Sequence, residues 1–472
     1  MSHEIRADYK QTWMFPPSLE DLLAKDHPVR FLREFVDALD LEEHGFRMRK
    51  GDEGRPNYAA DLLLKVWLYG YTERIRSSRK LEKACRQHVA LMWLTGMNYP
   101  DHNSLWRFWK DNREAIKEVF RKTVRVAMDA GLVDMVVNAV DGTKIAARAS
   151  TDKAWFEKKL KKRLEHLDIW LDQAMKEVEK AETQESGEYR LPEELAEKQK
   201  LRDKIQESLT QLEAKERESM NPGEPDAQMM KTREGTRLGY NAQAVVDSKA
   251  GVIVAGDVTT DQNDTHQLVP MMEKVQKETG KVAEETVADG GYFSGEQLDK
   301  AQKAELPVLV NLVQVRKAEE DGGPYHSSKF EYDSENDCYI CPMGQTLKFE
   351  GICKRKDKPH EMRAYRCKNA SQCSVRQECS KDKKGRRVER NPYSDAIRMQ
   401  QERQRDDAKK DLLRRRMVIV EPVFARVKHL LEFRRWTMGG LEKVRSQWLF
   451  VCALMNLGRI YPLWREGKLQ LA

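Results

Sequence analysis

Hydrophobic residues recur at helical spacing in the first quarter of the chain, and strand-like patterns follow. The segment from Pro17 to about Gly131 predicts a domain of short amphipathic helices. The apolar run Met135–Val140 then predicts a strand that ends at Asp141. Farther on, the run from Trp448 to Met455 is too short to span a membrane and predicts a buried helical segment.

A helical hairpin is predicted between two of these strands. Apolar residues step by four and three along the seam formed by Leu160, Leu164, Leu167, Leu171, Ala174 and Val178. A second apolar stripe follows at Leu201, Ile205, Leu209 and Leu212. Dense Lys and Glu fill the remaining positions, which is typical of the solvated face of such a hairpin.

Short strands and helices alternate after the hairpin. Tyr240–Asp247 and Gly251–Ala255 predict paired strands, and Asp264 with Gln267 fits a capping box that begins a helix. Further strands are predicted at Glu285–Asp289 and Leu306–Val310, with a helix capped by Ser294 between them. Strands that pair first and then alternate with helices predict a mixed α/β sheet.

The overall composition says little about a binding partner, whereas the distribution of charge along the chain says more. The 472 residues carry 84 Lys and Arg against 77 Asp and Glu, a formal net charge of +7. Between Lys354 and Arg416, however, there are 22 basic and 10 acidic residues. The charged fraction of 34% and the lack of a long apolar run argue against a membrane protein, and the charged N-terminus lacks a signal-peptide core. We therefore expect a cytoplasmic protein.

Three carboxylates occupy positions that suit a divalent cation. Asp141 and Asp289 each end a predicted strand, and Glu421 is predicted to open a helix with Pro422 in its first turn. Carboxylates at the ends of neighbouring strands can converge with a third from a helix, and Mg²⁺ prefers such oxygen ligands. The alternatives are a hairpin turn at Asp141, a strand exit at Asp289 and an ordinary first-turn acid at Glu421.

One lysine follows the glutamate at helical spacing. Lys428 comes seven residues, or two helical turns, after Glu421 and so lies on nearly the same stripe. It could hold a phosphate there, or it could be an ordinary surface lysine.

Taken together, the motifs resemble the bacterial insertion-sequence DDE transposases. The resemblance runs from about Asp8 to Leu457. It rests on Ala139–Lys144, Tyr240–Gln243, Ala288–Phe293, Val420–Phe424 and the C-terminal stretch from Phe433 to Leu457.

This resemblance implies a ribonuclease-H-like core in which Asp141, Asp289 and Glu421 bind two Mg²⁺ or Mn²⁺ ions, with Lys428 beside them. It implies that water cuts the transposon end and that the freed 3′-hydroxyl then attacks target DNA. One position departs from the family pattern, because Met417 stands where an arginine is expected and Arg416 comes one residue earlier.

The predicted fold is α/β: a ribonuclease-H-like mixed sheet with flanking helices, interrupted by two insertions and preceded by an all-α domain. The N-terminal helical domain, for DNA end binding or dimerisation, covers residues 1–130. The catalytic core comprises 131–150, 226–325 and 413–472, with the helical hairpin at 151–225 and a Cys-rich, basic insertion at 326–412.

Six of the eight cysteines fall between Cys338 and Cys379, a clustering that points to a metal rather than to disulfides. Reduced thiols and redox-active disulfides remain the alternatives. Tetrahedral Zn²⁺ takes four ligands. The resemblance favours Cys341, Cys367, Cys373 and Cys379 as the zinc ligands, leaving Cys338 or Cys353 spare.

Basic residues suggest where DNA binds. The run Lys381–Arg387 could neutralise phosphates or form a solvated linker. Arg74, Arg76, Arg79 and Lys80 in the helical domain could read DNA, or their helices could only pack. We expect a homodimer acting on double-stranded DNA of the terminal repeats and target. The rival functions are a non-transposing Mg²⁺-dependent nuclease and a decayed DNA-binding protein.

Overall fold

The computed structural model describes residues 18–48, 57–182, 193–232, 235–313, 315, 317, 321–355 and 360–471. Asp8, where the resemblance begins, lies outside these residues. The described residues form two compact units. The helical unit comprises the described residues within 1–132, 146–227 and 425–472, and the sheet unit those within 133–145 and 228–424. Among the helices of the described residues, none combines the length and the apolar character needed to cross a membrane.

Short amphipathic helices build the N-terminal part of the helical unit, as the sequence predicts. They are α1 (Pro28–Asp37), α2 (Ala60–Thr72), α3 (Ser78–Cys85), α4 (Val89–Leu94), α5 (His102–Asp111) and α6 (Arg113–Asp129). The C-terminal helix α14 (Leu441–Arg465) packs against α6. Its segment from Trp448 to Met455 is buried, which confirms that prediction. Tyr71, Trp109 and Phe450 form the aromatic centre, with ring centroids 4.9–5.8 Å apart.

The predicted helical hairpin is present in the helical unit. Helices α7 (Glu157–Glu182) and α8 (Glu193–Ala214) follow the short strand β2 (Trp155–Phe156), which pairs with β3 (Ser219–Met220). Leu160 and Leu167 pack against Ile205 and Leu212, so both predicted apolar stripes meet in one core.

The sheet unit is built on a six-stranded mixed sheet. Its strands are β1 (Val137–Ala146), β4 (Gln228–Thr232), β5 (Gly235–Asp247), β6 (Ile253–Thr259), β7 (Glu285–Ala288) and β8 (Val308–Val310). The order is β4-β5-β1-β7-β8, and β6 also pairs with β5. β1, β7 and β8 are parallel, whereas β4 and β6 run antiparallel to β5. The predicted mixed α/β architecture is confirmed.

Helices accompany this sheet within the same unit. They are α9 (Leu268–Thr279), α10 (Gly295–Lys303), α12 (Ser394–Arg403) and α13 (Asp407–Ala425). The predicted capping box at Asp264 is wrong: α9 begins at Leu268, and Gln267 precedes it without a side-chain cap hydrogen bond. The predicted strand end at Asp141 is also wrong, because β1 continues through Asp141 to Ala146.

The Cys-rich segment forms a second, antiparallel sheet. Its strands are β9 (Glu331–Asp333), β10 (Cys338–Ile340), β11 (Thr346–Lys354), β12 (Glu361–Cys367) and β13 (Arg387–Arg390), with the single-turn helix α11 (Arg376–Cys379) between the last two. Tyr365 and Leu347 are fully buried in the small core of this sheet.

Candidate active site

Two of the three predicted carboxylates lie side by side in the central sheet. Parallel β1 and β7 pair with Ala139 opposite Val287. Asp141 and Asp289 each stand two residues beyond that pair, so the register aligns them. The Asp141 side chain is 20% exposed and that of Asp289 is 40% exposed. Because β1 continues past Asp141, the parallel register of β1 and β7, rather than two strand ends, brings these two residues together.

The backbone around each carboxylate holds it in place. Asp141 Oδ1 accepts a hydrogen bond from the Gly142 amide at 2.8 Å. Asp289 Oδ1 accepts one from the Gly291 amide at 2.8 Å and caps the single turn Gly290–Tyr292. Since β1 continues through Asp141, the hairpin-turn alternative is wrong there, whereas Asp289 does follow directly on its strand.

Arg416 of α13 places its guanidinium between the two carboxylates. Its Nη1 lies 3.1 Å from Asp141 Oδ2, and its Nη2 lies 3.9 Å from Asp289 Oδ2. The first contact has ion-pair distance, but Nη1 is buried and lacks a well-aligned hydrogen bond. Met417, at the family's arginine position, is 52% exposed. The arginine one residue earlier therefore provides the positive charge at this site.

Burial is the main influence on the Asp141 carboxyl and raises its pKa above the ordinary value. The Arg416 guanidinium opposes this effect, and the Asp289 carboxylate reinforces it. A carboxyl that is costly to ionise beside a second acid is typical of a site that binds a cation.

Asp264 is a nearby carboxylate that sequence reasoning assigned to a helix cap. It lies in the loop between β6 and α9, where its Oδ1 accepts hydrogen bonds from Asn241 Nδ2 at 2.7 Å and Gln243 Nε2 at 2.6 Å. The polar pair itself could have indicated this role: Asn241 and Gln243 occupy alternate positions in the otherwise apolar run from Tyr240 to Val246, and both are fully buried.

Glu421 lies on a different part of α13 from the arginine. The predicted helix start at Glu421 is wrong, because α13 begins at Asp407 and contains Pro422 in its interior. Five residues correspond to about 140° around a helix, so Glu421 and Arg416 do not share a face. The Glu421 side chain is exposed. Within the described part of the chain, no three His, Cys, Asp or Glu side chains are grouped closely enough to hold a metal ion.

Lys428 lies in the π-helical turn Arg426–Leu430, which belongs to the helical unit. Its side chain is partly exposed.

Four of the six clustered cysteines line one small cavity in the antiparallel sheet. These are Cys341, Cys367, Cys373 and Cys379, and the cavity measures about 20 Å³. Burial raises the pKa of the Cys367 and Cys379 thiols, and the neighbouring thiols add to this effect. Cys338 and Cys353 do not line this cavity. The four cysteines that the family resemblance favours thus line the same cavity.

The basic run Lys381–Arg387 lies beside this cavity. Arg386 lines it, lies over the Phe330 ring at 5.8 Å and donates to the Cys379 carbonyl at 3.3 Å. The side chains of Lys381, Lys383 and Lys384 are exposed.

Two arginines in the loop between α2 and α3 have packing roles in the helical unit. Arg74 donates to the Leu430 carbonyl at 3.0 Å and pairs with Glu432 at 2.6 Å. Arg76 lies over the Phe433 ring at 5.3 Å. Arg79 and Lys80, in contrast, are exposed.

Two family models match the chain. A transposase DDE domain matches residues 340–461, and a transposase domain designated DUF772 matches residues 17–111. The first match includes Glu421, Lys428 and the four grouped cysteines, whereas Asp141 and Asp289 lie outside both matches. No curated protein matches the chain.

Proposed function

The chain is a DDE transposase of the insertion-sequence type, and we propose that its Asp141, Asp289 and Glu421 carboxylates bind the two Mg²⁺ or Mn²⁺ ions of this family's chemistry. Metal-dependent DNA cleavage and strand transfer are the activities of the DDE family. The observation that carries the assignment is the in-register placement of Asp141 and Asp289 around a single guanidinium.

We infer a ribonuclease-H-like catalytic core. Two features support it: the strand order β5-β1-β7-β8 with β6 paired to β5, and the combination of an antiparallel β5–β6 pair with parallel β1, β7 and β8. The domain plan inferred from the sequence, with core segments at 131–150, 226–325 and 413–472, stays part of this proposal.

The donor set fits divalent cations. Carboxylate oxygens are the ligands that Mg²⁺ prefers, and the position between Asp141 and Asp289 already accommodates the positive charge of Arg416. When bound, two such ions activate the attacking oxygen and stabilise the leaving oxygen of phosphodiester displacement.

Residues of the chain have distinct roles in this proposal. Asp141 and Asp289 hold their oxygens at neighbouring positions of a rigid sheet. Arg416 moves from these carboxylates to a DNA phosphate. A guanidinium can contact a phosphate through two donors. Glu421 supplies the third carboxylate, and Lys428 contacts a phosphate. The match over 340–461 supports the last two assignments.

Single isosteric substitutions test this site. Asp141→Asn and Asp289→Asn should each abolish cleavage of DNA carrying the sequences that flank the gene, while leaving binding to that DNA largely intact. Asp299→Asn is the matched control, because Asp299 only forms an i,i+4 pair with Lys303. Cleavage retained in either site variant would refute the assignment.

We infer a structural Zn²⁺ in the cysteine cavity. Four thiols at one cavity fit the four ligands of a tetrahedral site, and the Gln345 amide lies 3.3 Å from Cys341 Sγ. Metal analysis after purification without chelator should give about one zinc per chain. Cys373→Ser should lose it and Cys353→Ser should keep it, whereas equal zinc in both variants would exclude this ligand set.

DNA partners follow from the family, and their contacts are our inference. We assign the exposed lysines of Lys381–Arg387 to the DNA backbone and infer a homodimer on paired ends, acting on nucleoid DNA in the cytoplasm. Neutralising Lys381, Lys383 and Lys384 should make the plot of log affinity against log salt concentration less steep, its slope changing by nearly one for each lost phosphate contact. An unchanged slope would eliminate this role.

A further inference from the structure

Asp264 lies among the carboxylates of the proposed site. A Cβ built on Gly291 would meet Asp289 Oδ1 at 3.0 Å and Asp264 Oδ2 at 3.7 Å. A Cβ built on Gly142 would meet Asp264 Oδ1 at 2.7 Å. The glycines that follow Asp141 and Asp289 therefore both leave space beside Asp264.

A buried hydrogen-bond network fixes this carboxylate. Tyr292 donates its hydroxyl hydrogen to Gln243 Oε1, so the Gln243 amide nitrogen must face the other way. That nitrogen donates to Asp264 Oδ1 at 2.6 Å and to Asn241 Oδ1 at 3.1 Å. The second bond orients Asn241, whose amide nitrogen also reaches Asp264 Oδ1.

The network uses only one oxygen of Asp264. Within the described part of the chain, both side-chain hydrogen bonds reach Oδ1 and none reaches Oδ2. An asparagine could accept the same two bonds without a charge, so the structural role alone does not require an acid.

The balance of charge around Asp264 also favours a bound cation. Asp141, Asp264 and Asp289 are three acids in one half-buried region, and Arg416 contacts Asp141 and Asp289. Neighbouring carboxylates repel each other in such a region unless a cation compensates them. Arg416 offsets one of these negative charges, so the region favours the binding of a further cation.

We propose that Asp264 is a fourth carboxylate of the metal site and presents Oδ2 to a divalent ion beside Asp289. This inference rests on the proposed function, because it extends the same site. Asn241 and Gln243 are then positioning residues that aim Asp264 through its other oxygen.

Calorimetric titration of the full-length protein with Mn²⁺ tests the proposal. Asp264→Asn keeps the acceptor at Oδ1 and replaces Oδ2 by an amide, so it should melt close to wild type while binding Mn²⁺ at least about ten-fold more weakly. Asp261→Asn, in the same loop, is the control and should bind Mn²⁺ as wild type does.

Two further variants separate the possible failures. Asp264→Glu keeps the charge and should bind Mn²⁺ more tightly than Asp264→Asn, even if both melt early. Equal affinities of these two variants, or wild-type affinity in Asp264→Asn, would overturn the role of Asp264. If Asp141→Asn also bound Mn²⁺ like wild type, the proposed metal site itself would fail.

Discussion

Replacing Gly142 by alanine should damage the active site without changing any charged residue. The backbone at Gly142 is not left-handed, so the effect is steric. The added Cβ would approach Gln243 Nε2 closer than any real contact allows, and it would lie 2.7 Å from Asp264 Oδ1 and 3.0 Å from Asn241 Oδ1. All three atoms belong to the buried network, which must open to admit the methyl group.

The expected cost has two parts. Overpacking typically costs about 1–3 kcal/mol, and a buried donor left without its partner costs about 1–3 kcal/mol more. The sheet unit therefore loses at least about 2 kcal/mol, which corresponds to a decrease of about 4–8 °C in its melting temperature.

Thermal melting and Mn²⁺ titration measure the two consequences together. Gly142→Ala should melt early and bind Mn²⁺ weakly. The control is Gly458→Ala on the exposed side of α14, where a Cβ meets nothing within 4 Å and should stabilise the helix by about 1 kcal/mol. A Gly142→Ala protein that melts and binds Mn²⁺ like wild type would refute the close approach described here.

Three other predictions concern charge. Because burial raises the pKa of Asp141, this carboxyl keeps its proton to a higher pH than usual, and Mn²⁺ affinity should fall as the pH is lowered toward that pKa. In the metal-free protein, the same raised pKa means that the free energy of unfolding decreases as the pH rises through the pKa. If the Mn²⁺ affinity stayed the same down to pH 4 in a calorimetric pH series, this prediction would be contradicted. Arg416→Gln should bind Mn²⁺ more tightly, because it removes a positive charge that lies 3.1 Å from Asp141 Oδ2, yet it should cleave DNA less well. Weaker Mn²⁺ binding in titration would show that the guanidinium does not compete with the cation. Arg76→Ala should lower the melting temperature and leave the salt slope of DNA binding unchanged, because Arg76 packs on Phe433; a flatter slope in filter binding would assign it to DNA.

Local patterns predicted most of the elements, because helices and strands depend on residues close in sequence. The pairing of Asp141 with Asp289 required the further expectation that their strands are neighbours in one sheet. The apolar runs that precede Asp141 and Asp289 could be recognised, and the parallel pairing of β1 and β7 brings the two acids together. The local pattern failed at Gly142, where Asp-Gly favours a turn. There the glycine makes room for Asp264, and that requirement arises only in the folded sheet.

Residues distant in sequence explain the remaining misses. Asp264 has its partners 21 and 23 residues earlier in β5, so a pattern read along the chain assigned it to a cap. Pro422 favours a first helical turn, yet α13 begins 15 residues before it, at Asp407. Six cysteines could not be sorted by spacing, whereas folding places four of them around one cavity.

Strand transfer tests the central assignment most directly. A DNA fragment from the flank of the gene, pre-cut to expose a 3′-hydroxyl, is incubated with a target plasmid, Mg²⁺ and either wild type or one of three variants: Asp141→Asn, Asp289→Asn and Glu421→Gln. Wild type should join the fragment to the plasmid, and all three variants should fail while still binding the fragment. Joining by any of these variants would contradict the assigned carboxylates. If wild type cut the plasmid without joining the fragment to it, the protein would be a nuclease rather than a transposase.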